Sequence, residues 1–271
     1  AEYEGFAGGE RLPAVSIASA FDGTSEAILT PAHRVSRTVG FPQTVLASLQ
    51  GGIVRELHEQ LQPEEFDSLE CVYRVPIYRF SYKGHELALY LSPLGGPASA
   101  RVLEEIIARG AKRVLFFGTC GALDNAQTDG KLVVPTAAYR DEGTSYHYLP
   151  AGDYIEVPTS GRLCDVFDEL RLPYVRGRTW TTDALYRETR RNADARRAEG
   201  CLTVEMECAS VMAVGQFRQF PVYQFLYTAD SLDGGAWACR TLGSAHMPKS
   251  NYQWQLRTAL DTAIRLEGEN L

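Results

Sequence analysis

The sequence predicts an α/β fold with a largely parallel central sheet, on three observations. Short apolar, β-branched runs alternate with amphipathic helical stretches, which is how parallel strands are connected. Two of those runs end in polar turns: Arg113-Val114-Leu115-Phe116-Phe117 leads into Gly118-Thr119-Cys120-Gly121, and Pro221 to Tyr227 leads to Asp230. No internal repeat or low-complexity linker divides the chain, and 271 residues fit one α/β core.

Taken in order, Ala27-Ile28-Leu29 is the first expected strand, followed at once by Thr30-Pro31. Residues 1–25 then form an N-terminal extension of a single domain spanning 1–271. Glu86 to Leu91 is the next strand and ends at the turn Gly95-Gly96-Pro97. Ser99 can cap a helix whose Val102, Leu103, Ile106 and Ile107 share one face, and Gly110 stops it. Lys131 to Ala138 reads as a strand, Glu205 to Phe217 as a helix, and Leu256, Leu260 and Ile264 line a last helix. Ligands in such folds collect beyond the carboxyl ends of the strands, so Gly118-Thr119 and Asp230 are expected on one rim.

The net charge of −7 opposes nucleic acid backbones, and a small anionic substrate would need its own arginines. Six cysteines at 71, 120, 164, 201, 208 and 239 include no C-x-x-C pair, which argues for buried free thiols and against disulfides or a zinc site. The start Ala1-Glu2-Tyr3-Glu4-Gly5 lacks the basic and apolar runs of a signal peptide, and no segment nears the roughly 18 apolar residues of a membrane span. A cytoplasmic protein without metal or membrane partner is expected.

Three segments carry a resemblance: Gly118-Thr119-Cys120-Gly121-Ala122, Arg140-Asp141-Glu142-Gly143-Thr144-Ser145, and Val204-Glu205-Met206-Glu207 followed by small residues. In order and spacing they look like the purine nucleoside and uridine phosphorylase family, which also contains hydrolytic nucleosidases. The similarity runs from about Ala27 to Ile264. It implies a three-layer sandwich around a mostly parallel, partly barrel-like sheet. The implied chemistry is cleavage of an N-glycosidic bond by phosphate, giving free base and ribose 1-phosphate. No cofactor is implied, phosphate being a co-substrate. The family also implies a homo-oligomer, a dimer or a trimer of dimers with shared active sites.

The residues suit that chemistry. Cleavage builds positive charge on the ribose and negative charge on the leaving base, so an enzyme should hold the ribose hydroxyls, place an anion beneath the sugar and offer the base a proton. By resemblance, Glu207 accepts from ribose hydroxyls, with Glu205 beside it and Met206 against the sugar face. An unpartnered carboxylate is costly on so apolar a segment, which favours a role for Glu207 over chance. Asp230 resembles the acid that serves the purine ring nitrogen, tilting the expectation towards purines; a plain turn aspartate is its alternative. Trp180 matches an aromatic that stacks on the base, against the alternative of a core tryptophan.

The anion site departs from the family. Thr119 and the Gly118 backbone match phosphate contacts, but Phe116 or Phe117 stands where phosphorylases usually carry an arginine. Arg34 is the nearest match to a second phosphate arginine, although Gly-Asp-Pro is absent. Arg74, with Arg79 as competitor, resembles an arginine lent by a neighbouring subunit. Arg187, Arg190 or Arg191 could reach an exocyclic oxygen of the base, or form a basic surface helix. A hydrolytic nucleosidase and a non-catalytic nucleoside-binding protein remain the alternatives.

Overall fold

The computed structural model describes residues 16–17, 21–70, 73–234, 237–239 and 249–268. The first half contains β1 (Thr44–Ser48), α1 (Gly51–Leu61), β2 (Glu64–Glu70), β3 (Arg74–Tyr82), β4 (His85–Leu91), α2 (Gly96–Arg109) and β5 (Arg113–Ala122). Next come α3 (Asn125–Thr128), β6 (Leu132–Asp141), β7 (Tyr154–Glu156), α4 (Ser160–Leu170) and β8 (Tyr174–Thr182). The chain continues with α5 (Arg190–Ala198), β9 (Cys201–Glu205), α6 (Cys208–Phe217), β10 (Val222–Ser231), β11 (Ala238–Cys239) and α7 (Lys249–Leu266).

The strands pair in the order β11-β10-β6-β8-β9-β5-β1-β4-β3-β2, with β7 beside β6. β10 also pairs with β5, so β5, β10, β6, β8 and β9 close into a small barrel and β1, β4, β3 and β2 extend from β5 as an open wing. Pairing is parallel through β10, β5, β1 and β4 and through β6, β8 and β9. Two short antiparallel junctions sew the halves together: Leu226 opposite Val133, and Gly121 and Ala122 opposite Val204 and Thr203. The expected mostly parallel, partly barrel-like sheet is therefore observed.

Helices cover both faces. One core packs α2 and α6 on the sheet through Val102, Leu103, Ile106, Val211 and Val214. The other packs α1, α4 and α7 through Ile53, Leu57, Val166, Phe167, Leu256 and Leu260. Alternation along β5 sends Phe116 into the first core and Phe117 into the second, each fully buried. Burying a phenylalanine contributes about 1.5–3 kcal/mol, enough to explain both residues without a ligand.

Several expected boundaries move. Ala27-Ile28-Leu29 is not a strand: Ile28 is fully exposed, and Pro31 opens a 3-10 turn at Pro31–His33. The first strand among the described residues is Thr44–Ser48, buried throughout, whose polar ends hide it in the sequence. α2 is entered at Gly95 rather than capped by Ser99, which is buried and donates from Oγ to Pro93 O at 2.7 Å. Gly110 does end α2, at φ 119°, where a side chain would be strained. Val204 and Glu205 finish β9, and α6 starts only at Cys208. Cys120, Cys164, Cys201 and Cys208 are buried free thiols, whereas Cys239 is exposed and Cys71 lies outside the described residues. No helix among the described residues is long and apolar enough to cross a membrane.

Candidate active site

The carboxyl-terminal rim of the barrel gathers the β4–α2 turn, the end of β5, the β9–α6 junction and the end of β10. Gly121 stands at the centre, pairing with Asp230 on one side and Val204 on the other. A Cβ at Gly121 would come within 2.9 Å of Val204 and Leu232 side chains and 3.3 Å of Asp230 Oδ1, so only glycine lets these three elements converge.

The β9–α6 junction is held by its own carboxylate. α6 has no hydroxyl cap, and Glu205 Oε2 instead accepts from the N–H groups of Glu207 at 2.8 Å and Cys208 at 2.6 Å. A carboxylate at a helix start satisfies orphan donors and suits the helix dipole. Thr181 Oγ1 donates to Glu205 Oε1 at 2.5 Å and accepts from Ala209 N–H at 3.0 Å, tying β8 to the same point. Glu205 is thus committed to positioning. Glu207, the next carboxylate, sits at the N-cap of α6 and accepts from Gly95 N–H at 2.7 Å through Oε1. That bond joins the β4–α2 turn to the junction. Met206 lies between them, partly exposed.

Behind the junction, Gly96 lets α2 approach α6 so closely that a Cβ there would lie 2.2 Å from Ser210 Oγ. Ser210 donates to buried Glu142 at 2.5 Å, and Glu142 also accepts from the Ser145 N–H and hydroxyl. Arg140 spends its guanidinium on Ser145 Oγ and the carbonyls of Leu149 and Pro150. The segment Arg140–Ser145 is therefore a brace under the rim.

Burial, and then the negative Glu207, push Glu205 up to about 8; burial pushes Glu207 up to about 7. Between the ordinary glutamate value and these raised ones, the unfolded chain has released protons that the folded chain still holds. Stability therefore falls as pH rises across that window. Glu205→Gln should flatten the decline: melting temperatures of parent and variant measured from about pH 5 to about pH 8 should converge at the acid end and favour the variant at the alkaline end. Identical pH dependence in the two proteins would place the ionisation elsewhere.

Asp230 follows a bulge between Thr228 and Asp230, a device that re-aims a strand side chain. Its Oδ2 accepts from Trp237 Nε1 at 2.7 Å, leaving Oδ1 over Gly121. Thr119 is partly exposed on the same β5 end. Gly118 is buried, and a Cβ there would lie 2.4 Å from Leu49 Cβ, so packing alone demands glycine.

The other expected residues are elsewhere. Trp180 is 1% exposed, packed with Leu123, Ala193, Cys201 and Val204, and donates from Nε1 to Asp141 at 3.0 Å. A ring so enclosed has no free face for a base, and the core alternative describes it. Arg34 pairs with Glu105 at 3.3 Å, nine residues into α2 from Gly96 and so about 13 Å along the helix from the rim turn. The match that singled it out assumed a strand at Ala27–Leu29. The turn after the true first strand, Leu49-Gln50-Gly51-Gly52, contains no arginine. Arg74 begins β3 and pairs with Glu65, and Arg79 pairs with Glu64 at 2.7 Å. Three strands, β4, β1 and β5, separate β3 from β10, so neither arginine reaches this rim within one chain. Arg191 is exposed in the first turn of α5.

Sequence reasoning missed Gly95 as the partner of Glu207, Trp237 as the partner of Asp230, and Glu188, whose pKa burial and then the Asp230 charge raise. Glu188 falls in the stretch Thr181–Thr189, beside Arg187 and Arg190. Among the described residues no group of three or more potential metal ligands converges.

The closed, parallel-rich barrel agrees with the fold of known proteins. The profile of the Phosphorylase superfamily matches residues 47–266, and the chain belongs to that family. The chain is similar to a guanosine phosphorylase of Halorubrum lacusprofundi, 31% identical over 52% of this chain and 59% of that protein. It is 34% identical to a uridine phosphorylase of Thermococcus kodakarensis over 39% of each chain, and 29% identical to a purine nucleoside phosphorylase of Plasmodium vivax over 57% and 62%. The chain spans about half the length of the first of these relatives. Two solved structures share the fold: purine nucleoside phosphorylase from Toxoplasma gondii in complex with immucillin-H (TM-score 0.68, 19% identity, 84% of this chain and 93% of that one) and AMP nucleosidase from Bacteroides thetaiotaomicron (0.65, 19%, 85% and 90%).

Proposed function

We propose that the chain, acting as one domain over 1–271, is a pentosyltransferase that cleaves the N-glycosidic bond of a ribonucleoside with phosphate as acceptor, purines being favoured over uridine. The observation that carries this reading is the flanking of Gly121 by Asp230 and by the strand that delivers Glu207. Two strand spacings of about 4.8 Å separate these flanks, a span suited to one nucleoside.

Glu207 accepts from the ribose hydroxyls, with Oε1 steadied by Gly95, and Met206 closes on the sugar. Charge growing on the ribose strengthens the pull of that carboxylate, so the interaction is greatest in the transition state. Asp230, steadied by Trp237, gives a proton to the departing base from Oδ1. Thr119 Oγ and the backbone around Gly118 offer donors to an anion beneath the sugar, and Arg74 or Arg79 would come from a neighbouring copy in a cytoplasmic homo-oligomer. That phosphorylases dominate the named relatives supports phosphate as the acceptor.

Water is the second reading, favoured by a specific observation: neither the β1–α1 turn nor the β4–α2 turn nor the end of β5 carries an arginine, and Phe116 and Phe117, one of which stands in the arginine's place, are both buried. The test is incubation with inosine, adenosine, guanosine and uridine, with and without phosphate, followed by identification of the sugar. Phosphate-dependent ribose 1-phosphate is the expected product. Free ribose made equally well without phosphate establishes hydrolysis, and absence of turnover on all four overturns the catalytic reading in favour of nucleoside binding.

A further inference from the structure

The amino end of the barrel, opposite the rim, holds a cavity of about 530 Å³. Arg37 and Gln43 form one wall, the turn from α2 into β5 a second, and the approach to β10 a third. Backbone bonds fix the three together. Thr38 N–H donates to Arg109 O at 3.0 Å, and Lys112 and Arg113 N–H donate to Gln43 O at 2.8 and 3.1 Å. Val114 N–H donates to Pro221 O at 3.2 Å. The shape of the cavity is therefore set by main chain, and its volume is that of a small-molecule site.

Three cations line it, Arg37, Lys112 and Arg113, and no aspartate or glutamate is among its described lining residues. On a chain of net charge −7, that local excess of positive charge runs against the overall balance. Arg113 is buried and donates from Nη1 to Thr44 Oγ1 at 3.1 Å, which holds its charge in place. The side chains of Arg37 and Lys112 are exposed and, among the described residues, make no hydrogen bond or ion pair. Arg37 lies against the end of α2, where a Cβ on Gly110 would meet its Nε at 3.8 Å.

Cations at a helix end can serve its last carbonyls. That use does not account for Arg37. The Ile107 and Ile106 carbonyls already accept from Gly110 and Ala111 N–H at 3.0 and 3.4 Å, the Arg109 carbonyl accepts from Thr38, and Arg37 bonds to none of them. Guanidinium groups suit the oxygens of phosphate, and several cations together suit an anion of more than one charge. A bare phosphate would leave most of the volume unfilled, and Ile107 and Phe220 offer apolar surface to the remainder of a larger ligand.

We propose that this cavity is a second anion site, which binds a small phosphorylated molecule between Arg37 and Lys112 and beside the fixed charge of Arg113. It is separate from the rim: Gly121 lies eight residues along β5 from Arg113, about 26 Å at roughly 3.3 Å per residue. β5 and β10 both start at this cavity and end at the rim, so an occupant clamps the amino ends of the strands that carry Thr119 and Asp230. Occupancy does not depend on which reaction the rim performs.

The experiment is calorimetric titration of the full chain with inorganic phosphate and with phenyl phosphate at fixed ionic strength. The proteins compared are the parent, R37A/K112A, R37K/K112R and T119A, the last lacking the hydroxyl assigned to the anion at the rim. The parent should bind phenyl phosphate at a site that T119A and R37K/K112R keep, and R37A/K112A should bind there at least tenfold more weakly. Because both positions are exposed, melting temperatures without ligand should agree between parent and R37A/K112A, and so should their rates of nucleoside cleavage. Tighter binding of phenyl phosphate than of inorganic phosphate assigns the cavity to a phosphate ester, and the reverse order assigns it to the free ion. Hydrogen exchange locates the occupant: phenyl phosphate should raise protection in residues 37–43 and 110–114. Equal affinity in parent and R37A/K112A overturns the proposal, as does protection confined to residues 118–122 and the β9–α6 junction.

Discussion

Glu207→Gln is expected to lower kcat/KM by about 10²-fold or more while leaving the fold intact. A charge-assisted hydrogen bond contributes roughly 1.5–3 kcal/mol, and a carboxylate beneath two ribose hydroxyls can make two of them. Glutamine keeps an oxygen to accept from Gly95 N–H, so the bond between the β4–α2 turn and the β9–α6 junction survives. Because Glu207 is buried and its proton affinity is raised, a neutral substitute removes a desolvation cost. The melting temperature should therefore hold or rise while activity collapses. Initial rates on the preferred nucleoside, together with a thermal melt, check both halves. Near-normal kcat/KM removes Glu207 from the site, and a large loss of melting temperature returns it to a structural role.

Trp180→Ala is expected to do the opposite, damaging stability first. The ring is fully enclosed, and truncating a buried tryptophan costs about 3–5 kcal/mol through lost burial and the cavity left behind. Asp141 also loses its indole donor. For a chain of this size each kcal/mol moves the melting temperature by about 2–4 °C, so a fall of roughly 6–20 °C is expected. Substrate affinity should change little at temperatures where the variant is folded. A variant that melts like the parent but shows a much higher KM would restore the stacking role and show that the ring opens when substrate binds.

The alternation of strands and helices was readable because β4, β5 and β10 carry apolar runs, and the rim followed from the polar ends of β5 and β10. What escaped was every feature created by long-range contact. Thr44–Ser48 is a strand because β4 and β5 pair with it on either side, not because its own residues demand one. Arg34 follows Ala27–Leu29, which is no strand, and so does not occupy the turn after a first strand. Trp180 could not be assigned to core or ligand from its type, since both uses favour an aromatic. Glu205 and Glu207 look equivalent in the sequence. The hydrogen bonds from Thr181 and from α6 commit Glu205 to holding the helix, while Glu207 is held from the β4–α2 turn by the Gly95 N–H.

The closure of β10 onto β5 has a consequence for synthesis of the chain. β5 accepts β1 on one edge as soon as both exist, but its other edge waits for residues 222–231. For the time it takes to make about 100 residues, an almost wholly apolar strand presents unpaired backbone groups, a template for joining another nascent chain. β10 must then arrive in the one register that sets Asp230 beside Gly121. Ribosome-bound chains ending shortly before Val222 are thus the species most in need of a holdase, and protection of the β5 amides on the β10 edge should appear only once β10 has emerged.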